Sequence, residues 1–111
     1  MNEELEQMAL ELIAASGTSK SLFVEAMFLA KQGKLDEAEK KMIEAKNMFI
    51  EGHKVHAKLL MLEANNQNLK IPLLIIHAED QMASVEVIEI QTEQIISLYK
   101  ILKNNHIVIG E

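Results

Sequence analysis

The stretch His77-Ala78-Glu79-Asp80-Gln81 holds the residues best placed to do chemistry. It follows Ile71-Pro72-Leu73-Leu74-Ile75-Ile76, so several polar or ionisable groups crowd one turn of the most apolar part of the chain. On a helix, His77, Asp80 and Ser84 lie near one line, because positions i, i+3 and i+7 share a face. A charge buried there is costly unless it is paired or bound to a cation. An imidazole near neutral pH can act as a nucleophile or carry a proton. On residue types alone, such a His–Asp pair is more often structural than catalytic. His53 and His56, at i and i+3, could share a metal, although two imidazoles with local hydrogen bonds are the commoner arrangement. His106 has no evident partner.

Composition narrows the chemistry. The chain has 111 residues, enough for one domain with one core. No Cys is present, which removes disulfides, thiolate catalysis and zinc–cysteine sites. Eleven Lys, with no Arg, face seventeen Asp and Glu, giving a net charge of −6. A nucleic-acid binder needs a basic face, so that class is unsupported. Phosphate chemistry must rely on His, Lys, amides or a bound cation, because a bidentate Arg clamp is unavailable. The acidic start Met1-Asn2-Glu3-Glu4 lacks the apolar core of a secretory signal. The run Leu73 to Ile76 is too short to span a bilayer. These features predict an acidic cytoplasmic protein.

Three stretches must position the histidine cluster. From about Asn2 to Gln32, Leu5, Met8, Leu12, Ala15, Ser19, Leu22, Ala26 and Leu29 recur at spacings of three and four, the stripe of a bundle helix. Ser16-Gly17-Thr18-Ser19 joins weak helix formers and predicts a kink, or a break with a capped restart. Gly33 suits the left-handed residue after a helix. A second stripe, Leu35, Ala38, Met42, Ala45, Phe49, Gly52, His56 and Leu59, runs to about Asn65, where Asn65-Asn66-Gln67-Asn68 favours a turn.

The third stretch, Pro72 to about Lys103, carries two stripes. One is Ile71, Leu74, Ala78, Gln81, Val85, Ile88, Thr92, Ile95, Tyr99 and Leu102. The other is Leu73, Ile76, Asp80, Ala83, Val87, Ile90, Gln94, Ser97 and Ile101. One three-helix core cannot cover both faces, so the second predicts burial against other subunits. Val, Ile and Thr between Val85 and Ile96 favour strands, but eight turns of helical periodicity outweigh them. The expected fold is an all-α, antiparallel up-down-up bundle over residues 1–103. A short tail, 104–111, either pairs as a strand through Ile107-Val108-Ile109 or stays loose.

His77-Ala78-Glu79-Asp80-Gln81-Met82 resembles the phosphohistidine motif of the lactose/cellobiose-type enzyme IIA components of the bacterial sugar phosphotransferase system. Ser16-Gly17 with Glu25-Ala26, Gly33-Lys34-Leu35-Asp36-Glu37-Ala38-Glu39 and Leu62-Glu63-Ala64 before Pro72 fall in the family's order and spacing. The chain departs by having Gln81 where the family usually has His, and Met82-Ala83 in place of Leu-Met. The resemblance implies a phosphocarrier. His77 would accept a phosphoryl group from phospho-HPr and pass it to a cysteine of enzyme IIB, with the sugar phosphorylated at the membrane component IIC. It also implies a nine-helix homotrimer, Gln81 and Ser84 as neighbours of the phosphoryl group, and a metal at Asp80 on the trimer axis. Oxygen-only ligands suit a hard ion, here Mg²⁺. The competing expectation is a non-catalytic three-helix interaction module of tetratricopeptide-like or trafficking type. Leu29-Ala30-Lys31-Gln32-Gly33-Lys34-Leu35-Asp36-Glu37-Ala38 echoes such a helix pair, and these modules bind a partner helix in a groove.

Overall fold

The computed structural model describes residues 3–65 and 70–110. It contains three helices and, among the described residues, no strand: α1 (Glu3–Lys31), α2 (Leu35–Ala64) and α3 (Leu73–Asn104). The strand-like composition of residues 85–96 is overridden by helical burial, with Val85, Thr92 and Ile96 all pointing into the core. The second stripe is buried almost as its spacing dictates. Leu35, Ala38, Met42, Ala45, Phe49, Gly52 and Leu59 face inward, and His56 is half-buried.

The break expected in α1, with its capped restart, is not there. The helix runs unbroken through Ser16-Gly17-Thr18-Ser19 because the small residues serve packing rather than termination. Ser16 and Ser19 are fully buried, and the Ser19 hydroxyl donates to the Ala45 carbonyl of α2 at 2.9 Å. Gly52 of α2 lies against Ala15 and Leu12 on the same side. Short side chains let the two backbones approach. The inward face of α1 is accordingly turned from the predicted stripe, with Ala9, Phe23 and Ala30 in the core and Met8, Leu22 and Leu29 at its edge. Phe23 is completely buried, and truncating it to Ala would cost about 3–5 kcal/mol. By length and composition alone α1 could cross a membrane. What it does in this fold is bury its inner face against α2 and α3.

Gly33 has φ 82° and ends α1 as predicted. Lys34 N–H donates to the Leu29 carbonyl and Gly33 N–H to Ala30, the paired bonds of a left-handed helix cap. The end of α3 repeats the device: Ile107 N–H donates to Leu102 and His106 N–H to Lys103, with His106 at φ 60°. This gives His106 a structural place. The chain then neither forms a strand nor hangs loose. Ile109 packs on Gly33, and Gly110 lies so close to the Gln32 carbonyl that a Cβ there would stand 2.2 Å from the oxygen.

α1 packs closely on both partners, whereas α2 and α3 meet far less extensively. Between them runs a polar seam of three cross-helix pairs: Glu39 with Lys100, Lys46 with Glu93 at 3.0 Å, and His56 with Glu79 at 2.9 Å. A cleft of about 240 Å³ opens in the seam between Met42, Ile96 and the first two pairs. Asn65 closes α2; the rest of the predicted turn, Asn66, Gln67 and Asn68, lies outside the described residues.

Candidate functional site

Pro72 opens α3. Its fixed φ of −73° and extended ψ deliver the chain into the first turn, where the Ile75 and Ile76 N–H groups donate to its carbonyl. That turn contains no acidic residue, so the partial positive charge of the helix start is left uncancelled. His77 begins the next turn. Ile75 and Ala78 on either side of it are buried, which fixes the helix and leaves the imidazole exposed. An exposed imidazole on a rigid helix is what an intermolecular transfer requires, since the reacting partner must reach it.

The structure separates His77 from Asp80. Both are exposed, and neither makes a hydrogen bond or ion pair with another described residue. Asp80 instead lies on the outer stripe of α3, among Leu73, Ile76, Val87, Ile90 and Ile101, each more than half exposed. That stripe forms an unpartnered apolar face of the protomer with one carboxylate set into it. Ser84 is half-buried, and its hydroxyl donates to the Gln81 main-chain carbonyl at 2.7 Å. Its single proton is engaged in the helix.

Gln81 sits one turn after His77 on the same face. Its side-chain oxygen accepts a hydrogen bond from Lys20 Nζ of α1 at 3.3 Å. Lys20 was not singled out by the sequence, because sixty-one positions separate it from Gln81 and only the fold brings them together. Glu79, the other acid of the cluster, turns away from His77 and binds His56 Nε2 across the seam. His53 stacks at 4.5 Å on Phe49, tilted by 48°. The two α2 histidines are thus engaged separately rather than jointly. Among the described residues no group of three or more His, Asp or Glu stands together as a metal cage.

A family model described as the lactose/cellobiose-specific IIA subunit of the phosphotransferase system matches residues 7–100. The chain is 32% identical to the lichenan-specific phosphotransferase enzyme IIA component of Bacillus subtilis over 90% of its length and 91% of the relative's. A crystal structure of the cellobiose-specific enzyme IIA from Bacillus anthracis superposes with a TM-score of 0.87, at 35% identity and 94% coverage of both chains. The IIA(chitobiose)–HPr complex of Escherichia coli, solved in solution, aligns with a TM-score of 0.80 at 30% identity, covering 92% of this chain and 99% of that one.

Proposed function

Because the chain belongs to the lactose/cellobiose-specific IIA family of the phosphotransferase system, a family of phosphotransferase components, we propose that it carries a phosphoryl group on His77 between HPr and an enzyme IIB. Membership removes the basis for a tetratricopeptide-like or trafficking module. The observation that carries the proposal is an exposed imidazole on an apolar helix segment, one turn before an amide that is held by a lysine of α1.

In the first step a ring nitrogen of neutral His77 attacks the phosphorus of phospho-HPr. A P–N bond forms at His77 and the donor's P–N bond breaks, its electron pair returning to the donor imidazole. His77 gives up one ring proton and the donor takes one up. In the second step a cysteine thiolate of enzyme IIB attacks, an S–P bond forms, the P–N bond at His77 breaks, and His77 recovers a proton. Such transfers depend on alignment and charge neutralisation more than on bond-making groups of the protein. Gln81 offers amide N–H donors one turn away. Ser84 reaches the phosphoryl oxygens only by leaving the Gln81 carbonyl. A hydroxyl of the sugar held by the membrane component IIC then attacks that phosphorus, an O–P bond forms and the S–P bond of enzyme IIB breaks, its electron pair returning to the thiolate. The sugar is a β-glucoside, cellobiose/chitobiose or lactose type, a range in keeping with the relatives' lichenan and cellobiose. This reading places the chain in the cytoplasm.

The same reading includes a homotrimer. Three copies of the outer stripe of α3 around a threefold axis would bury Ile76, Ala83, Val87 and Ile90 against one another, and three Asp80 carboxylates would converge. Asp80 fits such a place, being unpaired among the described residues and bordered by apolar residues. One chain supplies only one carboxylate, so a shared Mg²⁺ would be held by Asp80 from each copy together with water. The ion would supply neutralisation of three like charges, and no transfer step needs it.

Replacing His77 with Gln tests the assignment. The variant should stay helical and accept no labelled phosphate from phospho-HPr. Labelling equal to the parent's would move the acceptor to His53 or His56.

A further inference from the structure

A phosphoryl group on His77 brings close to two negative charges and three strong acceptor oxygens. It would arrive two residues from Glu79 and three from Asp80, on a chain of net charge −6 with no Arg. Some cation must offset it. Lys41, Lys46, Lys54 and Lys100 already rest on the carboxylates of Glu25 and Glu44, Glu93, Glu51 and Glu39. Lys20 differs. Among the described lysines with a hydrogen-bond partner, it alone is held by a neutral group, the Gln81 side-chain oxygen. It is also half-buried, which strengthens its field relative to a lysine in open water.

An ammonium only donates, so the contact also fixes the Gln81 amide. The oxygen must face Lys20, and the amino group is turned away, where it makes no hydrogen bond to a described residue. Gln81 and His77 are one turn apart, with Cβ atoms about 5–6 Å from each other. A pair of unused N–H donors therefore stands one turn from the imidazole, and the cation stands on the far side of that amide.

We propose that Lys20 is the phosphoryl-binding cation of this site, parked on Gln81 in the unphosphorylated protein and transferred to a phosphoryl oxygen when His77 is loaded, while the Gln81 amino group donates to a second oxygen. The inference rests on His77 being the acceptor. Lys20 makes or breaks no covalent bond. It acts on the charge of the transferring group, where a charge-assisted hydrogen bond is roughly twice as strong as a neutral one.

The test compares the parent with Lys20→Gln, Lys20→Met, Lys20→Arg and Lys70→Gln, using labelled phospho-HPr and ³¹P NMR of each phosphoprotein. Lys70→Gln removes the same charge seven residues before His77. Lys20→Gln and Lys20→Met should load about 100-fold more slowly. Lys20→Arg should recover to within about threefold, and Lys70→Gln should load like the parent. A cation beside the phosphoryl group favours its dianion, so the ³¹P titration midpoint should rise by about one pH unit when Lys20 is neutralised. A packing role alone would leave that midpoint in place. Loading within threefold of the parent together with an unmoved midpoint in both neutral variants overturns the proposal. So does an equal loss in Lys70→Gln. A parent that accepts no phosphate on His77 overturns the phosphocarrier reading and this one with it, whereas a loaded parent with indifferent Lys20 variants overturns this one alone.

Discussion

Ser16 and Ser19 lie one turn apart on the same buried face of α1, yet their hydroxyls have opposite circumstances. Ser19 donates to the Ala45 carbonyl, while Ser16 Oγ is buried with no partner among the described residues. Replacing either with Ala improves intrinsic helix propensity by about 0.5 kcal/mol. Ser19→Ala also loses a hydrogen bond worth about 1–1.5 kcal/mol, for a net loss of roughly 0.5–1 kcal/mol. Ser16→Ala removes an unsatisfied buried hydroxyl worth about 1–3 kcal/mol, so it should stabilise by at least ~1 kcal/mol. The two variants should differ by about 2 kcal/mol, or around 8 °C in melting temperature for a chain of this size. Urea and thermal unfolding followed by circular dichroism, at one fixed protomer concentration, reads the difference. If Ser16→Ala is destabilised as much as Ser19→Ala, the account of why α1 runs straight through these residues is wrong.

Placing a charge on the outer stripe with Val87→Lys should convert a trimer into a helical monomer, read by light scattering; a parent already monomeric at micromolar concentration refutes the threefold assembly. A chelator should lower the melting temperature of the parent but not of Asp80→Leu, and equal sensitivity, or none in the parent, would rule out a metal held by Asp80. His106 occupies a left-handed conformation that glycine adopts without strain, so His106→Gly should raise stability by about 0.5–1 kcal/mol while leaving phosphate loading unchanged. A loss of stability there would mean that the imidazole makes a contact the backbone account omits.

The three helices were legible because their apolar spacing matches burial, most cleanly in α2, where Leu35 to Leu59 map onto the core. The two faces of α3 were legible for the same reason, since a stripe from Leu73 to Ile101 has no use inside a three-helix core. Ser16-Gly17-Thr18-Ser19 misled because the residues that weaken an isolated helix are also those that admit a close neighbour. Sequence periodicity does not distinguish the two cases. His77 stood out through its contrast with the apolar segment before it. Lys20 did not, because its meaning comes from a contact between α1 and α3. The Glu79–His56 pair was hidden in the same way. The periodicity already set Asp80 on the outer stripe, whereas only the fold sends Glu79 across to α2.

The seam between α2 and α3 has a mechanical consequence. α1 is the keel of the chain, packed closely on both other helices, and the α2–α3 side carries a seam of polar pairs, two of them between Lys and Glu. Apolar contact is not screened by dissolved ions, and excluded salts strengthen it. Exposed pairs weaken as the screening length falls, to about 8 Å at physiological ionic strength and about 3 Å in molar salt. The Lys46–Glu93 and Lys100–Glu39 pairs therefore weaken as the solution becomes more saline, while the packing of α1 on its two neighbours is not screened. The third clasp pairs the His56 imidazole with Glu79, and so grips the α3 turn that carries His77.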